Sequence, residues 1–243
     1  MNRQTFIKKS LALTAMTGMT TKINELNKLT TSLNNTEQMP VLFMGHGSPM
    51  NAIEENQFVT GFRNLAKTLP QPNAILCISA HWFTKGTKVT AMEMPRTIHD
   101  FGGFPQALFD VQYPAKGSPE LAIETKQLLQ PLEVELDEHW GLDHGAWSVI
   151  KHLYPDANVP VIQLSIDYTK PTQYHFELAQ KLSALRHKGI LIVGSGNIVH
   201  NLRLVDYQNF DKDNYGYDWA IEAREVVNNY LLDDNRSEEH TSE

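Results

Sequence analysis

Three histidines follow apolar segments of this sequence in a pattern that could build a metal site. His46 directly follows the segment VLFMG, and His81 directly follows LCISA. His200 directly follows LIVGSGNIV, which includes a short glycine-rich turn. Imidazole is the commonest neutral metal ligand in proteins, and two or three imidazoles with open coordination positions form a catalytic site rather than a structural one. The repeated context therefore favours a catalytic metal centre over three unrelated polar residues.

A histidine at a strand end is, taken alone, more often a hydrogen-bonded polar residue than a ligand. The carboxyl ends of strands in α/β sheets open into the ligand crevice, so the three side chains could converge there. His144 is a further candidate, because it lies beside Asp143 just before a predicted helix, where a neutral imidazole suits a general acid or base. His139 and His152 are interpreted as surface or packing residues, and His240 is excluded because it lies in a tail of different composition.

The elements that must position these residues alternate between strands and helices. Short apolar runs with β-branched residues predict strands at Val41–Met44, Ala74–Ser79, Val89–Met92, Val159–Ile166 and Ile190–Val193. Helical periodicity predicts helices at Phe58–Leu69, Ser118–Leu129, Ala146–Leu153, Thr172–His187 and Tyr217–Leu232. This alternation predicts an α/β fold, a single domain with a central, mostly parallel or mixed sheet flanked by helices.

The composition limits the kinds of ligand and partner. The 243 residues include 21 basic and 28 acidic side chains, a formal net charge of −7, which argues against a nucleic-acid partner. No run of about 18 apolar residues is present, so no membrane span is expected. The one cysteine, Cys77, lies in a predicted strand and is interpreted as a core residue, which excludes an internal disulfide and a multi-thiolate site. Any metal must therefore be bound by nitrogen and oxygen ligands.

The two ends of the sequence differ from the middle. Residues 1–38 begin with a basic stretch and then a short apolar one, the order of an export signal, although Arg3 and Gln4 stand where a twin-arginine signal has two arginines. We interpret them as a signal-like or disordered extension, which leaves a cytoplasmic or a periplasmic location open. Residues 233–243 form an acidic tail that resembles a translated sequencing adapter and is interpreted as artefactual.

The segment Thr97–Pro105 is typical of a pocket-forming loop. It holds His99, Phe101 and Phe104 around a pair of glycines, and such rings could form a flexible wall against an aromatic ligand. A plain surface turn explains the same composition equally well. His99, Phe101 and Phe104 are therefore candidate substrate-binding residues.

Six motifs of this chain occur together in a known family. In chain order they are GHGSPM at 45–50, SAHWF at 79–83, TIHDFGGFP at 97–105, GLDHGAW at 141–147, QLSI at 163–166 and SGNIVHN at 195–201. Together they resemble the DOPA 4,5-dioxygenase-type extradiol dioxygenases of the LigB, or class III, superfamily. The resemblance covers residues 39–232 and predicts a catalytic domain of LigB-like fold over that range.

The resemblance implies a non-haem Fe(II) enzyme that opens a catechol ring beside its two hydroxyls and inserts both atoms of O₂. It implies that His46 and His81 are metal ligands, and that His200 is a ligand or the base that accepts the catechol proton. It implies that His144 contacts the substrate and oxygen. Zn(II) is often found in such sites, but it has no redox chemistry, so it is expected as an occupant rather than as the catalyst. The implied partners are a small catechol such as DOPA and O₂, and the oligomeric state stays open.

One feature of the family is not matched. The family carries a further metal-binding histidine near its C-terminus, in a segment that follows the last helix predicted here. After Leu232 this sequence has no matching motif. We therefore expect the catalytic domain at 39–232 to be truncated at its C-terminal side, and the chain to bind metal weakly and show little activity.

Two other functions stay open on the sequence. A zinc-dependent hydrolase would use the same histidines to activate water. A non-catalytic binding protein is the third alternative, because the superfamily includes Memo-type relatives that act through interactions. A hydrolase consumes no O₂ with a catechol, which separates it from a dioxygenase, and the intact set of four histidines argues against a binding protein.

Overall fold

The structure is a computed structural model that describes residues 38–206, 208, 209, 212 and 215–232. By its contacts the chain divides into two units, Met1–Ser195 and Gly196–Glu243. The acidic tail at 233–243, and all of the N-terminal extension at 1–38 except its last residue, lie outside the described residues. Within the described residues, no helix is long and apolar enough to cross a membrane.

A four-stranded sheet lies at the centre of the first unit. Its strand order is β1, β8, β2, β6, and β2 pairs in parallel with both β6 and β8. Two short parallel pairs, β3 with β7 and β4 with β5, lie outside this sheet. The strands are β1 (Val41–Gly45), β2 (Ala74–Ser79), β3 (Phe83–Thr84), β4 (Thr87–Thr90), β5 (Val134–Asp137), β6 (Val161–Gln163), β7 (Ile166–Asp167) and β8 (Ile190–Gly196).

Helices cover both faces of the central sheet. The helices of the first unit are α1 (Gln57–Ala66), α2 (Gln106–Phe109), α3 (Pro119–Leu128), α4 (His144–Leu153) and α5 (Thr172–Leu182), and the second unit contains α6 (Asp218–Leu232). Helices α1 and α4 pack into one core with Ile75 and Cys77 of β2. Helices α3 and α5 pack into a second core with Ala74 and Leu76. Because neighbouring residues of a strand point to opposite faces, a continuous apolar run such as β2 is buried on both sides.

The predicted α/β fold with a parallel central sheet flanked by helices is confirmed, and the differences are local. The predicted strand Val159–Ile166 is two strands, β6 and β7. The Leu164 amide still donates to the Cys77 carbonyl of β2, but the next amide, that of Ser165, donates to the Lys88 carbonyl of β4, so the pairing with β2 ends between these two residues. The predicted helix Thr172–His187 ends at Leu182 and continues as a 3₁₀ helix over Ser183–Lys188. Strands β3 and β5 and helix α2, which are two to four residues long, were not predicted, and β4 lies at Thr87–Thr90 rather than Val89–Met92.

A glycine ends one short 3₁₀ helix, and an asparagine side chain caps the start of another. Gly189 has a φ of 73° and follows the 3₁₀ helix, and its left-handed conformation ends that helix. The second unit contains a 3₁₀ helix at Leu202–Leu204, whose first turn is capped by the Asn201 side chain accepting from the Arg203 amide. Its helix α6 agrees with the predicted helix at Tyr217–Leu232.

Candidate metal centre

His46 stands immediately after β1 and is almost fully buried, with 3% of its surface exposed. Gly47 follows it with a φ of 63°, a conformation that favours glycine. A Cβ at this position would lie 2.9 Å from the side-chain nitrogen Nδ2 of Asn51. That same nitrogen donates to the His46 carbonyl at 3.0 Å. The turn after β1 is therefore fixed by a glycine and by an asparagine that closes onto the histidine backbone.

His81 follows β2, and its position is set by the residues that end this strand. The His81 amide donates to Ser79 Oγ at 3.2 Å, and Ser79 Oγ donates to Asp143 Oδ1 at 2.6 Å. The Ala80 amide donates to the Ser195 carbonyl at 2.9 Å, which extends the pairing with β8 beyond the last strand residue. Both the turn and the neighbouring strand thus hold His81 at the carboxyl edge of the sheet.

His144 is the first residue of α4, two residues before the predicted helix start. Asp143 is the N-cap, and its carboxylate accepts from the Ala146 amide at 3.1 Å. The same fully buried carboxylate accepts from Gln163 Nε2 at 2.8 Å and from Trp140 Nε1 at 3.3 Å. Asp143 therefore holds the start of α4 against the ends of β2 and β6, which brings His144 to the same edge as His81.

The structure brings His46, His81 and His144 together as a group with the geometry of a metal site. One ligand atom from each lies within 4.8 Å of the other two. The ring centroids of His81 and His144 are 3.9 Å apart, and those of His46 and His81 are 5.0 Å apart. His46 Nε2 and His81 Nε2 are separated by 3.2 Å. Three imidazoles from distant segments thus meet, as the positions of two of them at strand ends predict.

The Nδ1 atom of each ring is engaged on the outer side of the group. Ser195 Oγ donates to the Gly145 carbonyl at 2.5 Å, so it accepts from His46 Nδ1, 3.0 Å away. Asp100 Oδ1 lies 2.9 Å from His144 Nδ1, and Asp100 Oδ2 lies 3.4 Å from His81 Nδ1. Nε2 is therefore the atom that each ring presents to the inside of the group, where His46 Nε2 and His81 Nε2 are 3.2 Å apart.

Asp100 supplies the negative charge beside these rings. Its side chain is 21% exposed, and its Oδ1 also accepts from the His144 amide at 2.9 Å. Partial burial raises the pKa of the Asp100 carboxyl, but the hydrogen bonds from the ring and the amide of His144 outweigh burial and hold the pKa below its ordinary value. The carboxylate is therefore ionised at neutral pH and favours a cation in the group of histidines.

The imidazole nitrogens of this group fit a divalent metal of borderline softness, such as Zn(II) or Fe(II). Two imidazole nitrogens bound to one ion at about 2.1 Å stand about 3.0–3.4 Å apart when the angle between them is about 90–110°. The 3.2 Å between His46 Nε2 and His81 Nε2 falls within that range. Imidazole suits zinc and iron alike, so the ligand type by itself does not choose between these two metals.

The aromatic loop lies against His144. Phe101 meets the His144 ring edge to face, with centroids 5.4 Å apart, and Phe104 packs against Phe101 at the same distance. The predicted wall therefore includes a ring that touches the group of histidines. His99 is oriented differently: its Nε2 donates to the Val111 carbonyl at 2.9 Å, which makes it a support of the loop. The substrate-binding role of the three residues stays a prediction.

His200 belongs to the second unit, where its side chain is exposed. Its assignment as a ligand or a base stays a prediction. Two interpretations of packing residues are confirmed: His152 is buried and its Nε2 donates to the Asn51 carbonyl at 2.7 Å, while Cys77 lies fully inside the core, where burial raises the pKa of its thiol. His139 is exposed, as expected of a surface residue.

Two residues of the site, Asp100 and Ser195, are not predicted by the sequence interpretation. Asp100 lies inside the aromatic loop, among ring-bearing neighbours, and the signal that could have found it is that metal-binding histidines commonly have a carboxylate partner. Ser195 is interpreted from the sequence only as part of a glycine-rich turn. The contacts of both residues join segments distant in the sequence, 44 residues apart for Asp100 and His144 and 149 for His46 and Ser195.

Comparisons with known proteins identify the family of this chain. Residues 39–240 match the family of the catalytic LigB subunit of aromatic ring-opening dioxygenase. A protein of Escherichia coli K12 named "4,5-DOPA dioxygenase extradiol" is 54% identical over 204 residues, 84% of this chain and 74% of that protein. A protein of Beta vulgaris with the same name is 41% identical over 165 residues, 65% of this chain and 61% of that protein. The plant relative is thus matched over about three fifths of its length.

A solved structure shows the same fold. The crystal structure of an uncharacterized protein from Escherichia coli K12 is 49% identical, with a TM-score of 0.67, over 79% of this chain and 72% of that one. The match to the family model extends over more than half of the chain, and it includes His46, His81 and His144. The chain belongs to the LigB family of aromatic ring-opening dioxygenases.

Proposed function

We propose that this protein opens the ring of a catechol such as DOPA with O₂, at an Fe(II) ion bound by histidines. Extradiol cleavage breaks a carbon–carbon bond beside the two hydroxyls and places both oxygen atoms in the product. The names of the relatives from Escherichia coli and Beta vulgaris support DOPA as the substrate to test first. The observation that carries the proposal is the group of His46, His81 and His144, within 4.8 Å of one another, in a chain of this family.

His46 and His81 would hold the metal through Nε2. Their Nε2 atoms are 3.2 Å apart, and each ring is oriented from its Nδ1 side. When bound, Fe(II) would supply the redox chemistry that O₂ insertion requires and would acidify the catechol hydroxyls. His200 enters the proposal as a further ligand or base on the strength of the family resemblance alone.

His144 would accept the catechol proton. Its Nδ1 is 2.9 Å from Asp100 Oδ1, much closer than the 3.4 Å between His81 Nδ1 and Asp100 Oδ2. An imidazole held on one side by a carboxylate is the arrangement of a general base, because the carboxylate stabilises the imidazolium that forms. Nε2 of His144 would therefore take the proton while Asp100 stays ionised.

Phe101 would form the apolar side of the substrate site. Its ring already packs edge to face on His144, and offset or edge contacts between aromatic rings contribute about 0.5–1.5 kcal/mol beyond area burial. Phe104 supports Phe101 from behind at 5.4 Å. A catechol lying beside His144 would meet these rings while its hydroxyls face the histidines.

Oxygen uptake tests the reaction. The chain is reconstituted with Fe(II) without oxygen, mixed with L-DOPA, and then supplied with O₂ in an oxygen electrode while the ring-opened product is followed by absorbance. We expect a low rate of turnover, with one O₂ consumed per catechol opened, and no O₂ consumption after reconstitution with Zn(II). Iron-loaded protein that consumes no O₂ with L-DOPA or with simpler catechols would contradict the proposal and favour a hydrolase or a binding protein.

Three histidine variants separate the proposed roles. His81→Asn should lose both bound metal and turnover, whereas His144→Asn should keep metal and lose turnover. His139→Asn is the matched control, since His139 is exposed and outside the group. Loss of metal from His144→Asn equal to that from His81→Asn would show that His144 is a ligand and would contradict its role as the base.

A further inference from the structure

We infer that Asp100 is a positioning residue, one carboxylate that fixes both His81 and His144 in the tautomer whose Nε2 carries the lone pair. This inference rests on the proposed function, because it concerns the same metal-binding and proton-accepting rings. It adds to that function a residue that touches neither the metal nor the substrate and acts through the two histidines.

The hydrogen-bond donors around Asp100 determine where the ring protons lie. Asp100 Oδ1 is 2.9 Å from the His144 amide and 2.9 Å from His144 Nδ1, while Oδ2 is 3.4 Å from His81 Nδ1. An ionised carboxylate can only accept, so His144 Nδ1 carries hydrogen, and a negatively charged oxygen 3.4 Å from His81 Nδ1 favours hydrogen on that atom as well. A neutral imidazole has one ring proton, and Nε2 is then left unprotonated in both rings. That is the form that coordinates a metal or accepts a proton.

The carboxylate is itself held in place by the backbone. The bond from the His144 amide ties Asp100 Oδ1 to the first turn of α4, which Asp143 caps. The His81 and His144 rings, with centroids 3.9 Å apart, both lie against this one side chain. Asp100 therefore sets the two rings relative to one another, as well as each ring by itself.

Replacement of Asp100 by asparagine should affect the two rings differently. The two donors of His144 require an acceptor, so the amide oxygen takes the place of Oδ1 and the NH₂ group takes the place of Oδ2. The NH₂ group then faces His81 Nδ1, and two donors oppose each other. His81 would turn to the tautomer with the proton on Nε2, which must be lost before a metal binds, while His144 would keep its tautomer.

The experiment compares the full chain with Asp100→Asn and Asp110→Asn. Asp110 is the matched control, an exposed carboxylate at the end of α2 that accepts from Gln106 Nε2. Zn(II) affinity is measured by competition with a chromophoric chelator, and the ring nitrogens of His81 and His144 are followed by ¹⁵N NMR. We expect Asp100→Asn to weaken Zn(II) binding about 10–100-fold, with a changed His81 tautomer and an unchanged His144, whereas Asp110→Asn matches the parent chain.

The outcomes separate this inference from the proposed function. Unchanged Zn(II) affinity and unchanged tautomers in Asp100→Asn would overturn it. If that variant does not fold, the NMR spectrum of the parent chain decides, since a His144 ring protonated on Nε2 overturns the inference and one protonated on Nδ1 supports it. A chain with the expected tautomers and the expected loss of affinity that consumes no O₂ with catechols would support the inference and contradict the proposed function.

Discussion

The contact between α4 and His81 leaves no room for a side chain at Gly145. An alanine Cβ at Gly145 would lie 2.5 Å from Ser79 Oγ, 2.8 Å from His81 Cδ2 and 3.2 Å from Asp143 Oδ1. Ser79 and His81 would each have to retreat by about half an ångström to one ångström to reach ordinary van der Waals separation. Ser79 Oγ is held by Asp143 at 2.6 Å, so most of the displacement should fall on the His81 ring.

The expected magnitude follows from two opposing effects. Alanine is favoured over glycine in a helix by at most about 1 kcal/mol. Insertion of an extra group into a packed interior costs about 1–3 kcal/mol. With the full helix gain, Gly145→Ala should therefore lower the free energy of unfolding by about 0–2 kcal/mol. The substitution should also weaken metal binding about tenfold or more, because it displaces His81 and functional sites tolerate ligand displacements of only about 0.5 Å.

Gly61→Ala is the matched control for this change. Gly61 lies on the exposed side of α1, and among the described residues no atom beyond its own helix and chain neighbours would lie within 4 Å of an alanine Cβ at this position. The control variant should gain about 1 kcal/mol in stability from helix propensity and keep its metal affinity. Urea denaturation and competition for Zn(II) measure both quantities. The reasoning would be refuted by a Gly145→Ala protein that is as stable as Gly61→Ala and binds Zn(II) as tightly.

Three further predictions concern groups around the site. Ser195→Ala removes the acceptor of His46 Nδ1 and should weaken Zn(II) binding about tenfold by chelator competition. Asp143→Asn places a donor among the donors that surround this buried carboxylate and should lower the free energy of unfolding in urea by about 3 kcal/mol. Burial lowers the pKa of His152, although its bond to the Asn51 carbonyl opposes this. The contribution of neutral His152 to the free energy of unfolding is therefore complete above about pH 6.5 and is lost as the pH falls through the lower folded-state pKa. His152→Gln should reduce this dependence of the free energy of unfolding on pH, measured by urea denaturation at several pH values.

Much of the fold could be predicted from the sequence because the central strands are buried on both faces. The run Ala74–Ser79 is apolar without interruption up to its final serine, and the strand has the predicted bounds. The shorter strands β3 and β5 were not predicted because they are partly polar and form their parallel pairs with distant residues, Phe83 with Ile166 and Val134 with Thr87. A pattern within one segment carries no information on such a partner.

The same limit applies to the candidate site. His46 and His81 could be predicted because each follows a strand, and the ends of parallel strands lie at one edge of a sheet. Asp100 could not be found in this way, since it lies in a loop, and its role depends on where α4 begins. Helix α4 in turn begins at His144 rather than at the predicted Ala146, because the buried Asp143 side chain caps it. The cap is a tertiary contact as well as a local one.

The register of the sheet explains why these separate segments form one site. Ser79 of β2 pairs with Ser195 of β8, so the two hydroxyls lie at the same level of neighbouring strands. Ser79 donates to Asp143 and Ser195 donates to the Gly145 carbonyl, and these acceptors flank His144 in the sequence. The start of α4 is thus fixed at two points by two adjacent strands. Ser195 also accepts from His46, so a shift of β8 by one residue would turn Ser195 to the other face of the sheet and remove its links to His46 and to α4.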